Sequence, residues 1–283
     1  MLKPNRMFAM GLLSLATAAL LGACGGGAVK EEGPVPASSL ADVPDSAWTA
    51  LAAKRIYFGH QSVGANIVEG VADLVAAEPR LGLRVVTDDG ALAAGGAFLH
   101  GAVGRNEDPG AKTDDFAARL DGPLAGRVDI AFHKYCYVDV TAGSDVPALF
   151  DHYQQTMARL AAAHPGVVFV HVTAPLVTVP AGASATVKRL LGRTSGRAAD
   201  NLARERFNEL MRKAYAGREP VFDLAAVEST RPDGTREAVD AGGGRAYALV
   251  PAYASDGSHL NAAGRRRVAE ELLVFLARLT ASR

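Results

Sequence analysis

The chain is poor in the residue types that build stapled, metal-bound or nucleic-acid-binding folds. Cys24 and Cys136 are the only cysteines among 283 residues, so no disulfide framework can replace a core. The histidines form no HExxH, and CxxC is absent, so no metal set is expected. Thirty Lys and Arg balance thirty Asp and Glu, with no basic block interleaved with aromatics. That lacks the electrostatic footprint of a nucleic-acid binder, and no nucleic acid is expected as a partner. The string GHQSVG after the first apolar run matches neither a phosphate loop nor a dinucleotide fingerprint, so no cofactor is expected. Stability must therefore come from an ordinary apolar core, which a chain of this length can bury.

At the N-terminus, Lys3 and Arg6 precede the apolar run Met7 to Ala23, the pattern of a secretory leader. The run is too short and too rich in small residues for a membrane span. It ends in Leu21-Gly22-Ala23-Cys24, which resembles a bacterial lipobox. The resemblance implies cleavage before Cys24 and acylation of its thiol and new amino group. The alternative is a plain secretory leader or an uncleaved signal anchor. Gly25 follows, with no Asp there to signal inner-membrane retention, so the expected location is the bacterial cell envelope, lipid-anchored at the outer membrane and facing the periplasm or the exterior. With Cys24 acylated, Cys136 has no intrachain partner. Residues 24–46 are rich in Gly, Pro, Ala, Ser and acids without apolar periodicity and read as a tether. Residues 47–283 read as one folded domain, because no second linker divides them.

Within that domain, short apolar runs rich in β-branched residues at Arg55 to Gly59, Leu83 to Thr87, Val128 to His133, Val167 to Thr173 and Pro220 to Leu224 predict buried strands. Apolar residues at three- and four-residue steps predict helices over Val63 to Ala77, Asp114 to Leu120, Val146 to Ala163, Asp200 to Tyr215 and Asn261 to Leu279. Alternating strands and helices imply an α/β fold, a three-layer α/β/α sandwich around a five-stranded parallel sheet. Pro180 to Ala199 and Ser229 to Ala254 break the alternation and read as excursions above the sheet. Ligands in such folds bind beyond the carboxyl ends of the strands, so residues just after strands are the candidates for chemistry.

Two such segments carry it. Gly59-His60-Gln61-Ser62 follows the first strand, and Ser255-Asp256-Gly257-Ser258-His259-Leu260-Asn261 precedes the last helix. A serine hydroxyl needs a base to take its proton, and His259 is the candidate. A carboxylate on the far ring nitrogen would orient that imidazole and stabilise its cation, and Asp256 is three residues away. Gly257 eases the turn between them, and Asn261 is a good helix N-cap. Alone, the second segment also fits a polar turn with a solvated histidine.

Taken together, a serine at a strand-to-helix turn, a parallel α/β body and Asp-x-x-His before a terminal helix resemble the SGNH/GDSL hydrolase superfamily. The resemblance implies a flavodoxin-like fold and a catalytic triad of Ser62, Asp256 and His259. It also implies an oxyanion hole made by the serine amide, a glycine amide and an asparagine side chain. The family's serine lies in a Gly-Asp-Ser turn, and Gly59-His60-Gln61-Ser62 carries one residue more, so an ungapped register would set Gln61 at the nucleophile's place. The bulged register leads Ser62-Val63-Gly64 directly into a helix N-terminus. The family's Gly-x-Asn-Asp block, expected after the third strand, is not legible in His133-Lys134-Tyr135-Cys136-Tyr137-Val138-Asp139. Gly104 and Asn106, in the preceding loop, offer an amide and a carboxamide in its place.

His60, Gln61 and Lys134 are expected to line the substrate site, with a carboxylate partner as the alternative for Lys134 and a role in positioning the turn as that for His60. Cys136 reads as a small buried hydrophobe, and His133 and His171 as structural residues. The expected function is an envelope-anchored serine esterase acting on a small-molecule or glycan ester. Removal of acyl groups such as acetyl from carbohydrate comes first. A polysaccharide O-acyltransferase and a non-catalytic envelope binding protein on the same fold are the alternatives. In the last, Ser62 would point away from His259.

Overall fold

The computed structural model of the protein describes residues 38–88, 95–180, 195–242 and 244–282. The expected leader and Cys24 lie outside the described residues.

The sheet is built around β1 (Arg55–His60). On one side β1 pairs in parallel with β3 (Ala97–Ala102), which pairs with the edge strand β2 (Val85–Thr87). On the other side it pairs with β4 (Ile130–His133), and β4 with β5 (Val168–Phe169). The order is thus β2-β3-β1-β4-β5, all parallel. The predicted strand Val167 to Thr173 changes partner part-way. After Val170, β6 (His171–Val172) pairs with β7 (Val221–Phe222). The strand expected at Pro220 to Leu224 therefore belongs to a separate two-stranded parallel ladder rather than to the five-stranded sheet. An unexpected member, β3, takes that place.

Successive residues of β1 face opposite layers. Ile56 and Phe58 join one core with α1 (Asp45–Ala52), α2 (Val63–Ala77) and the C-terminal α7 (Ala262–Ala281). Tyr57 joins the other with α3 (Pro109–Asp121), α4 (Val146–Ala163) and α5 (Gly196–Tyr215). Full burial of one such large apolar side chain is worth ~1.5–3 kcal/mol, so these two cores dominate stability. Gly70 lets α2 and α7 touch, since a Cβ there would lie 2.5 Å from the Arg265 carbonyl oxygen.

The helix ends follow local chemistry. Asp108 accepts from the Ala111 amide at α3, Asp145 from Ala148 at α4 and Asn261 from Gly264 at α7. Pro109 and Pro147 occupy first-turn positions, where an amide hydrogen is not needed. The Asp108 cap starts α3 five residues before the predicted Asp114.

The boundary of the tether is corrected. Leu40 and Val43 are buried in the first core, and the Ser38 and Leu40 amides donate to Glu271 and Glu270. Trp48 on α1 is completely buried, so the packed body begins by Ser38 rather than at residue 47. Of the excursion expected over Pro180 to Ala199, 181–194 lies outside the described residues, and Gly196 to Ala199 instead form the first turn of α5. The other excursion holds the antiparallel hairpin β8 (Ala238–Asp240) and β9 (Arg245–Tyr247), after the short α6 (Leu224–Ser229).

Beyond β6 the chain runs extended, and α5 reads its backbone. Asn208 accepts from the Ala174 amide at 2.7 Å and donates to its carbonyl at 3.1 Å. Asn201 does the same for Val177, at 3.1 and 2.8 Å. Two carboxamides thus take the place of a neighbouring strand, satisfying backbone groups that would be costly to bury unpaired.

Candidate active site

β1 and β4 end side by side where the strand order reverses, the crevice in which such sheets bind ligands. The turn leaving β1 places Ser62 with φ 49° and ψ −109°, outside the regions that L residues favour. The turn is held from several directions. The Gln61 carbonyl accepts from the Gly64 amide at 2.9 Å, from Lys134 Nζ at 3.1 Å and from Cys136 Sγ at 3.3 Å. The Gln61 carboxamide donates to the carbonyls of Val103, at 3.0 Å, and Gly104. Gly64 is required here, because a Cβ would collide with the His60 side chain.

The Ser62 hydroxyl is not spent on capping α2. It lies 2.6 Å from His259 Nε2, and His259 Nδ1 lies 2.7 Å from Asp256 Oδ2. Since an ionised carboxylate only accepts, Nδ1 carries the proton and donates to Asp256. Nε2 is left to accept from the Ser62 hydroxyl. Asp256 Oδ1 in turn accepts from the amides of His259, at 2.9 Å, and Ser258, at 2.8 Å. The His259 amide, the His259 ring and the Ser258 amide together hold the Asp256 carboxyl down to about 2, so it is ionised in neutral solution. Tyr137 packs edge-on against the His259 ring, with centroids 5.7 Å apart. The relay is open to solvent, with the Asp256 side chain 57% exposed and that of His259 34%.

The structure thus brings Ser62, Asp256 and His259 together across the strand ends. It puts the other candidates elsewhere. The Gly104 amide donates to Asp115 at 2.9 Å, and its φ of +53° lets its backbone press on that of Lys112. An amide so committed is no oxyanion donor. The Asn106 carboxamide oxygen accepts from Lys112 Nζ at 2.9 Å, and Lys112 also pairs with Asp139 at 2.5 Å, both side chains fully buried. Asn106 therefore serves that ion pair. His60 is buried, contacts His100 at 3.1 Å and is pushed down to about 3 by burial, then by Lys134 and His100. It is a neutral wedge under α2 rather than a substrate contact.

Lys134 is also buried, with burial lowering its pKa. Lys134 and Gln61 hold the nucleophile's turn from behind rather than line the substrate site. The oxyanion donors left at the turn are the Ser62 amide and that of Val63, which opens α2 and has no partner within the helix.

A groove of about 600 Å³ adjoins the relay, its walls including Tyr137, Ser144, Asp145, Arg197, Asp200 and Ser258. Tyr137 and Ser258 tie it to the His259 side of the site. Arg197 carries more than a wall position, since its Nη1 lies 3.2 Å from the Gly257 carbonyl. Sequence reasoning did not find Arg197 or Tyr137 as site residues. The only signal was a polar stripe along α5, Arg197, Asn201, Arg204 and Asn208, at three- and four-residue steps. Among the described residues no group of three or more His, Cys, Asp or Glu side chains is placed to hold a metal ion.

No family model matches the chain, and no curated protein matches it. Solved structures do. It is similar to TesA, at 15% identity and a TM-score of 0.45 over 80% of this chain and 99% of that one. An acetyl esterase matches at 13% identity and 0.45, over 81% and 97%. An extracellular lipase from Streptomyces rimosus matches at 14% and 0.43, over 79% and 99%. These are distant likenesses of fold, and the chemistry rests on the site's own geometry. No helix among the described residues is long and apolar enough to cross a membrane.

Proposed function

We propose that the protein is a serine esterase of the SGNH type, held in the bacterial envelope by lipid on Cys24 and removing acyl groups, acetyl foremost, from carbohydrate. The observation that carries the reading is the unbroken line from Ser62 Oγ through the His259 ring to Asp256, at 2.6 and 2.7 Å. His259 Nε2 takes the Ser62 proton as the oxygen attacks the ester carbonyl, and Asp256 stabilises the imidazolium. Negative charge developing on the carbonyl oxygen falls at the N-terminus of α2, beside the Ser62 and Val63 amides. The imidazolium then protonates the departing alcohol, and water, deprotonated by the same nitrogen, releases the acid from Ser62.

A sugar alcohol is favoured by the groove on the His259 side. Its volume falls within the ~300–1,000 Å³ of small-molecule sites, and its walls combine one aromatic face with several hydrogen-bonding side chains. The same groove would admit a sugar as acyl acceptor, so products with and without added glycan separate hydrolysis from transfer. The non-catalytic alternative called for Ser62 turned away from His259, which is not its position. Fluorophosphonate labelling tests the reading. Wild type should be labelled and Ser62→Ala should not. An unlabelled wild type, or equal labelling of the variant, would overturn it.

A further inference from the structure

The acid and base of the relay sit on a short, solvent-exposed loop, yet their ring and carboxylate must stay in register with a serine from the opposite end of the chain. Within the loop, the Ser255 amide and hydroxyl donate to the His259 carbonyl at 2.9 and 3.2 Å, closing the base of the turn. At its tip Gly257 adopts φ +87°, and the carbonyl of that residue is turned toward the body of the protein. Three donors meet it. The Thr178 amide lies 2.8 Å away, the Thr178 hydroxyl 3.2 Å and Arg197 Nη1 3.2 Å. The same guanidinium nitrogen reaches Thr178 Oγ1 at 3.2 Å and the Thr178 carbonyl at 3.4 Å. A Cβ on Gly257 would strike both side chains.

The anchor points are themselves fixed. Thr178 follows Val177, whose backbone is held at both ends by Asn201, and Arg197 stands one turn before Asn201 on α5. Two turns along the same face, Arg204 donates through Nε at 2.9 Å and Nη2 at 2.5 Å to the carbonyl of Tyr137, the residue packed against the His259 ring. One helix face therefore grips the loop that carries the base and the wall that faces it.

We infer that Arg197, together with Thr178, is a positioning residue that holds the Asp256–His259 loop in register with Ser62 through the Gly257 carbonyl. The inference rests on the esterase reading for its kinetic consequence, but the clamp itself does not. Arg197 also lines the groove, so the leaving-group site and the clamp share one side chain.

The test compares wild type, Arg197→Met, Arg197→Lys and Thr178→Val in the full chain, with thermal unfolding to confirm folding. On p-nitrophenyl acetate, too small to need the groove, Arg197→Met should lose about 10- to 100-fold in kcat with KM within about twofold. A displacement on the order of 1 Å at a reacting group has a cost of that size. Arg197→Lys, which can still donate to the carbonyl, should recover most of the loss, and so should free guanidinium added to Arg197→Met. Thr178→Val should lose severalfold. A proton spectrum provides the second readout, as the downfield Nδ1–H of His259 seen in wild type should broaden or vanish in Arg197→Met.

Unchanged kcat with an intact downfield signal overturns the clamp, as does a rise in KM alone, which would make Arg197 a substrate contact. Should Arg197→Met fail to fold, Thr178→Val gives the same two readouts. An inactive wild type whose downfield signal depends on Arg197 would sink the esterase reading and leave the clamp standing.

Discussion

Ser62 should be a costly residue at its own position, and the cost can be separated from its chemistry. Its φ of 49° and ψ of −109° lie where a Cβ clashes with the backbone. A single non-glycine residue held in such a region costs ~1–3 kcal/mol. Replacing Ser62 by alanine removes the hydroxyl and keeps the Cβ, whereas glycine removes both. The lost contact to His259 is common to the two variants and cancels in the comparison. Glycine gives back ~0.5–1 kcal/mol through the larger entropy it loses on ordering. Set against each other at mid-range, ~2 against ~0.75 kcal/mol, these terms should make Ser62→Gly more stable than Ser62→Ala by about 1 kcal/mol. At roughly 2–4 °C per kcal/mol for a domain of this size, the gap in Tm should be about 2–4 °C. The strain persists because Lys134, Cys136 and the Gly64 amide all grip the Gln61 carbonyl. Calorimetry of both variants in one buffer is the assay, with fluorophosphonate labelling absent from each. An alanine variant as stable as the glycine one would refute the account of the turn.

Three further outcomes follow from groups already placed. Asp256→Asn should leave KM nearly unchanged and lower kcat by about 10³–10⁴-fold, because the wrong ring nitrogen is then stabilised in its protonated form; steady-state kinetics on a small ester reads this. Lys112→Met should destabilise by about 3–5 kcal/mol in urea unfolding, since it strands the buried Asp139 carboxylate, and adding Asp139→Asn should recover part of the loss. Burial pushes the Glu228 carboxyl up to about 8, against the Leu176 amide and the Lys134 charge. The fold prefers it protonated, so its contribution is whole below the unfolded pKa near ~4.3 and is lost as pH rises through about 8. The urea midpoint of Glu228→Gln should accordingly gain on that of wild type between pH 5 and 8, and no change in the difference would count against a neutral Glu228.

What could be read from the sequence was what is local. Val63–Ala77 and Val146–Ala163 matched their apolar periodicity to the residue, because each helix has one face in a core and a clear start. Asp256 and His259 were legible as a pair because three residues on a glycine turn are enough to join them. Strand β3 was missed. Its Ala97, Gly101 and Ala102 have weak strand preference and His100 interrupts the apolar run, although Phe98 and Leu99 are fully buried. Tertiary packing decides that strand. The same holds for Lys134 and His60, which stand beside the chemistry in sequence but point beneath it. Burial, invisible in a motif, turned both from substrate contacts into supports. Arg197 lies at the other extreme, with nothing nearby in sequence to connect it to a loop some sixty positions away.

The exposure of Asp256 and His259 has a bearing on what can be processed. A deep, roofed cleft works on molecules that diffuse in whole and leave whole. Machinery set at the rim needs only the scissile group to protrude, so substituents on a cross-linked or insoluble matrix come within reach without prior release of fragments. If lipid on Cys24 holds the protein to one surface, as proposed above, such a rim would trim decorations on a polymer lying opposite.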